Sequence, residues 1–137
     1  MGPRMMRILI VDDNQGLTTL MREILEAEGT YQVETAENGE DGYLAFLRFK
    51  PDIILTDIDM PVKNGLDMVT KIRAHRPGIK AIYMSGDMRR YQRLLEREKA
   101  EYKANLLDKP FSLSKVMGLF HEFQKEEGLQ QKTQPLC

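Results

Sequence analysis

Apolar residues are distributed along this chain in two alternating patterns. Short, mainly apolar runs occur at residues 8–11 (Ile-Leu-Ile-Val), 53–56 (Ile-Ile-Leu-Thr) and 79–84, with a shorter one at 104–107. The continuous run at 8–11 suits a strand buried on both faces. Residues 31–36 (Tyr-Gln-Val-Glu-Thr-Ala) alternate instead and are more polar, which places that strand at a sheet edge. Between the runs, apolar positions recur at helical spacing. Leu17, Leu20, Met21, Ile24 and Leu25 define a first helix, with Asn14 as its N-cap and Gly29 as its stop. Asn38-Gly39 opens a second helix, with Glu40 and Asp41 in its first turn, where acids favour the helix dipole. Tyr43, Phe46, Leu47 and Phe49 supply its buried side, and Pro51 ends it. Leu66, Val69 and Ile72 mark a third helix, closed by Pro77-Gly78. A fourth is expected over residues 87–102. Ser112 caps a fifth that carries Leu113, Val116, Met117, Phe120 and Phe123.

Five strands alternating with five helices imply an α/β fold with a parallel sheet covered on both faces. Right-handed crossovers give a doubly wound, flavodoxin-like sheet of order 2-1-3-4-5. No internal repeat and no dividing linker interrupts the pattern, so one domain is expected over residues 7–125. Residues 1–6 read as an N-terminal extension or cloning remnant, and residues 126–137 as a flexible C-terminal tail.

The 137 residues suffice for one core, and 42% hydrophobic and 30% charged content is ordinary for a globular domain. A formal net charge of −1 gives no bulk attraction to nucleic acid or acidic membranes. No apolar run approaches the ~20 residues of a membrane span. The start of the chain is too short in apolar residues for a signal peptide. Cys137 is the single cysteine; it forms no internal disulfide, which fits a reducing, cytoplasmic setting. The nine methionines read as core filler, and His75 and His121 as surface or packing residues.

Chemistry is concentrated where the strands end. Asp12 and Asp13 follow the first run, Asp57 the third, Ser85 the fourth, and Lys109-Pro110 the fifth. In a doubly wound sheet, ligands bind at the carboxyl ends of the strands near the switch between strands one and three. Three carboxylates in one shallow site repel one another unless a cation joins them. Mg²⁺ takes oxygen ligands and suits one or two carboxylates plus phosphate oxygens. A remaining aspartate can attack phosphorus to give an acyl phosphate. Lys109 and Ser85 are placed to hold the oxygens of a transferred phosphoryl group.

Asp12-Asp13, Asp57-Ile58-Asp59-Met60-Pro61 with Gly65, Met84-Ser85-Gly86 and Lys109-Pro110-Phe111, in that order and each after a strand, resemble the receiver domain of two-component response regulators. The resemblance runs from about Arg7 to about Lys125. It implies that Asp57 accepts a phosphoryl group from a histidine kinase's phosphohistidine or from a phosphotransfer protein. Asp12, Asp13 and Asp57, with the backbone carbonyl of Asp59, would hold Mg²⁺. Ser85 would move toward the phosphoryl group, Lys109 would pair with it, and the peptide before Pro110 would be cis. A signalling switch is implied, not an enzyme: self-phosphorylation from a phosphodonor and autodephosphorylation are the reactions expected.

Two features depart from the family. Many receivers carry Tyr or Phe three residues before the lysine, where it swings inward with the Thr/Ser; here that position is Leu106. The usual Gly-Ala before the fifth strand is Tyr102-Lys103-Ala104, suggesting a helical extension. Arg89, Arg93 and Arg97 fall at i, i+4, i+8 with Arg90 beside them, a pattern that reads as a solvated face or as a basic surface for a downstream effector. Two other readings stand beside the receiver: a phosphorylation-independent scaffold of the same fold, and a Mg²⁺-dependent aspartyl phosphatase with Asp59 as its second acid.

Overall fold

The computed structural model describes residues 4–133. Five parallel strands, β1 (Met6–Val11), β2 (Tyr31–Ala36), β3 (Ile53–Asp57), β4 (Lys80–Ser85) and β5 (Asn105–Asp108), form one sheet in the order β2-β1-β3-β4-β5. The order is the one the alternating pattern predicts. Five α-helices cross between and after the strands: α1 (Gln15–Ala27), α2 (Gly39–Phe49), α3 (Gly65–Arg73), α4 (Gln92–Tyr102) and α5 (Leu113–Thr133).

Strand periodicity sorts the core into two layers. Ile8, Ile10, Ile53, Leu55, Ile82, Met84 and Leu107 pack with Met21 and Leu25 of α1 and Val116 and Phe120 of α5. Leu9, Val11, Ile54, Ala81 and Tyr83 face the other way, onto Phe46 of α2, Met68, Val69 and Ile72 of α3, and Leu95 of α4. Every residue of β3 is buried, as a central strand with helices on both faces requires. Asn14, Asn38 and Asn64 cap α1, α2 and α3, each side chain accepting an N–H from three residues on. Gly29 ends the first helical stretch at φ 80°. Of the methionines, Met6, Met21, Met68 and Met84 are core residues. His75 pairs with the Tyr43 hydroxyl at 2.7 Å, and His121 with Glu28 at 3.0 Å.

Three expectations are corrected. Met6 is not part of an extension but opens β1 and is buried, because its register with Tyr31 adds an apolar rung to the sheet. Arg4 also pairs with the buried Asp52. Residues 87–102 are not one helix. A 3₁₀ turn, Met88–Tyr91, precedes α4, and no side chain caps either element. At the other end, α5 runs to Thr133 and so passes through the start of the expected tail. The Glu, Gln and Lys residues that follow position 125 are good helix formers and offset Gly128. Cys137 lies outside the described residues.

The β3–α3 connection is tightly folded. Gly65 N donates to Ile58 O at 3.0 Å, and a Cβ at Gly65 would lie 2.3 Å from Asp57 O. Glycine is therefore required there by close backbone approach. Val62 sits at φ 72°, with Lys63 N closing a tight turn onto Pro61 O at 2.8 Å. A β-branched residue is strained in this region of φ.

Two outcomes follow. Gly65→Ala should destabilise the fold by more than about 2 kcal/mol, because the carbonyl it meets is backbone and cannot rotate away; chemical denaturation measures this. Val62→Asn should stabilise by about 1 kcal/mol, since Asn tolerates a positive φ and the Val62 side chain, 75% exposed, gives up little packing. An unchanged denaturation midpoint would show that the turn stores no strain.

Candidate functional site

Parallel register brings the strand ends to one edge. Val11 lies beside Thr56, Asp57 beside Met84, and Ser85 beside Asp108. The chain is held just past those points by backbone bonds from Asp12 N to Ala36 O, Ile58 N to Met84 O and Lys109 N to Ser85 O. These bonds carry the ladder one residue beyond the strands, so the side chains at the ends are positioned by backbone and not by loop conformation. The Lys109–Pro110 peptide is cis.

The side chains then converge. Carboxylate oxygens of Asp12, Asp13 and Asp57 lie within 4.8 Å of one another. Asp12 and Asp57 are buried and Asp13 is exposed. Lys109 Nζ donates to Asp57 Oδ2 at 3.1 Å and to Asp12 Oδ2 at 3.2 Å. Asp12 Oδ1 accepts from Asn14 N at 2.9 Å, fixing that carboxylate as the chain turns into α1. Asp57 Oδ1 accepts from Asp59 N at 3.3 Å. Three hard oxygen donors with one edge open to solvent form an acidic pocket able to hold a metal ion, and their chemistry fits Mg²⁺ or another oxygen-seeking cation.

Burial sets the electrostatics. It pushes the Asp57 carboxyl above the usual carboxylate range, and the Asp12 charge adds to this; the bond and charge of Lys109 oppose it without cancelling it. For Lys109, burial alone would favour the neutral amine. The hydrogen bonds and charges of Asp57 and Asp12 together outweigh that and hold the ammonium above its ordinary range.

Ser85 is fully buried. Its Oγ accepts from Asp87 N at 2.9 Å and donates to Asp59 Oδ2 at 3.1 Å. The other oxygen of Asp59 accepts from the Tyr91 hydroxyl, and Arg90 Nη1 lies 3.9 Å away. Asp59 raises the Tyr91 phenol above its ordinary range chiefly through that hydrogen bond. No local sequence pattern marks Tyr91, because its partner lies 32 positions earlier in the chain.

Leu106 is half-buried and lies opposite Tyr83 in the β4–β5 register. Tyr83, fully buried, donates its hydroxyl to Glu98 Oε1 at 2.6 Å. Arg73 Nη2 donates to the same oxygen at 2.8 Å, and its guanidinium lies 3.8 Å from the Tyr102 ring centre. Three of the arginines border different depressions. Arg89 lies in a depression with Leu106, Arg97 in one between α3 and α4, and Arg90 in a third beside Asp59. Arg89 and Arg90 lie in the 3₁₀ turn, and Arg93 and Arg97 in α4.

A flavodoxin-like sheet with an acidic pocket and a lysine at its carboxyl edge defines the class. Residues 8–120 match the response regulator receiver domain, and the chain belongs to that family. It is 32% identical over 119 residues to the chemotaxis protein CheY of Thermotoga maritima, covering 87% of this chain and 98% of that protein. It is 33% identical over 111 residues to the transcriptional regulatory protein RprY of Bacteroides fragilis, covering 81% of this chain but only 46% of RprY. The chain thus spans about half the length of RprY. Among solved structures, a CheY-like receiver from Methanospirillum hungatei superimposes with a TM-score of 0.80 at 28% identity, covering 92% of this chain and 98% of the other. The chain is therefore a receiver of the two-component type, a signalling family whose domains interact with histidine kinases and effectors. No helix among the described residues is long and apolar enough to cross a membrane.

The raised Asp57 value has a consequence for stability. A carboxyl whose folded pKa lies above its unfolded value stabilises the fold while protonated, and that contribution is lost as pH rises through the folded pKa. In metal-free protein, the melting temperature of Asp57→Asn minus that of the unmodified protein should therefore grow as pH is raised from about 4 to 7. A flat difference would mean that Lys109 fully compensates the buried charge.

Proposed function

We propose that this receiver accepts a phosphoryl group on Asp57 and that the modification switches its binding to a partner. The observation that carries the reading is the ammonium of Lys109 set between Asp57 and Asp12, with Ser85 on the neighbouring strand end. In this reading an Asp57 oxygen attacks the phosphorus of a phosphohistidine on a sensor kinase or phosphotransfer protein. A P–O bond forms, the P–N bond breaks, and the imidazole leaves with the electron pair. Lys109 loses nothing by the transfer, because its bond to the Asp57 carboxylate is replaced by one to a phosphoryl oxygen. The Ser85 hydroxyl supplies a second donor.

Asp12, Asp13 and Asp57, with the Asp59 carbonyl, would hold Mg²⁺, which supplies charge neutralisation for the incoming phosphoryl oxygens. Asp13, the exposed member, is the one a hydrated ion reaches without displacing packed side chains. The domain on this reading covers residues 7–125, with the first strand beginning a residue earlier, and works in the cytoplasm. A phosphatase role for Asp59 is disfavoured, since its carboxylate is already engaged by Ser85 and Tyr91. A downstream effector would be met by Arg89, Arg90, Arg93 and Arg97, of which Arg89, Arg90 and Arg97 border three depressions.

The test is direct. Incubation with Mg²⁺ and acetyl phosphate should add the mass of one phosphoryl group to the intact protein. The gain should vanish in Asp57→Asn and fall steeply when the divalent cation is chelated. Lys109→Ala should slow the gain by about 10²-fold or more, the usual effect of losing one charge-stabilising group. A gain that survives in Asp57→Asn would move the acceptor elsewhere.

A further inference from the structure

We infer that the Asp59 carboxylate latches the 3₁₀ turn Met88–Tyr91 over the site through the Tyr91 hydroxyl, and that modification of Asp57 opens this latch. The inference deepens the reading of Asp57 as phosphoacceptor and rests on it.

Asp59 is tied to the site from both sides. Its N–H donates to Asp57 Oδ1 at 3.3 Å, so the two residues share one backbone turn. Its carboxylate faces the β4–α4 connection, with the Ser85 hydroxyl at 3.1 Å, the Tyr91 hydroxyl bonded to the other oxygen, and Arg90 at 3.9 Å. A Ser hydroxyl has one proton to donate, and here Asp59 receives it. A phosphoryl group on Asp57 would bring three strong acceptor oxygens and about −1.5 to −2 of charge at neutral pH. Ser85 cannot serve Asp59 and the phosphoryl group with one proton. The added charge also repels the Asp59 carboxylate. Both effects act on the residue that holds Tyr91.

The structure confines the response to the 3₁₀ turn. Beyond it, α4 is anchored by buried Leu95 and by Glu98, which accepts from Tyr83 and Arg73. The turn itself has no buried residue and no side-chain cap. Without the Asp59 contact, the turn keeps the partial packing of Met88 and Tyr91 against the core and the Arg90 guanidinium over the Tyr91 ring. Leu106 has no hydroxyl to take part, and the hydroxyl of Tyr83 is already held by Glu98. Tyr91 and Arg90 border a depression of about 520 Å³ beside Asp59 and Lys63, so release of the turn changes a solvent-facing surface. Tyr91 is a positioning residue here; it does not touch Asp57.

Beryllofluoride with Mg²⁺, a stable mimic of an acyl phosphate, tests this. Fluorine NMR reports its binding, with Asp57→Asn as the blank, and hydrogen–deuterium exchange reports the amides of residues 88–91. In the unmodified protein, binding should speed exchange there roughly tenfold, the low end for losing a hydrogen bond to a charged acceptor. Tyr91→Phe, which keeps the ring, should show that faster exchange without beryllofluoride and gain little on adding it. Tyr91→Phe combined with Asp59→Asn should exchange no faster than either alone, whereas a general packing role would give additive effects. Binding with unchanged exchange at residues 88–91, or Tyr91→Phe that exchanges like the unmodified protein, would overturn the latch and leave the phosphoacceptor reading standing. Absence of a bound fluorine signal would overturn that reading and the latch with it.

Discussion

One ammonium among three carboxylates sets the terms for the whole edge of the sheet. At about 3 Å and an effective dielectric near 20, each Lys109 contact amounts to a few kcal/mol of attraction, set against the cost of burying Asp12 and Asp57. The backbone makes this geometry possible. β5 ends at Asp108, Lys109 N is bonded to Ser85 O, and the side chain then spans the ends of β3 and β1. Register, burial and charge are thus one constraint: shifting β5 by a residue would send Lys109 to the opposite face and leave two buried acids unpaired. Even so the ammonium balances only one of three negative charges. The two left over equal the charge of one divalent cation, which is why the pocket is better suited to a metal than to a closed salt bridge.

Much of this was legible in the sequence because it depends on period and order. Short, mainly apolar runs mark the inner strands, the alternating run at residues 31–36 marks the edge, and strand order follows from crossover handedness. The polar residues at the run ends then fell together without any knowledge of contacts. What was not legible depends on side chains meeting across large separations. The Arg73–Glu98–Tyr83 group joins α3, α4 and β4 through residues whose types are unremarkable in their own windows. Nothing in the local sequence separates the 3₁₀ turn from helix, because Met88 to Tyr102 has no proline and only good or neutral helix formers after Asp87. The first residues of the stretch instead meet partners distant in the chain or across the loop: Asp87 N donates to Ser85 Oγ and the Tyr91 hydroxyl to Asp59. The start of β1 was placed too late because Arg7 interrupts the apolar run, although its side chain reaches out to Phe49 O while its backbone stays in the ladder.

The placement of aromatic hydroxyls decides which segment beside the site is pinned and which is lightly held. A side chain transmits a change when it has two comparable positions and one of them is biased by the site. Tyr83 fails this condition: its ring is fully buried, and its hydroxyl shares Glu98 with a guanidinium that is itself bonded to Ile79 O at 2.8 Å. Moving it would strand a buried donor and break a buried ion pair, a cost of several kcal/mol. Leu106 fails for the opposite reason, having no polar atom for the site to hold. Rigidity in the Tyr83 group is still useful, because it fixes α4 as a frame against which a short segment can move. The fold thus divides the β4–α4 region into a pinned helix and a lightly held turn, and only the turn is in hydrogen-bonding contact with the acidic edge.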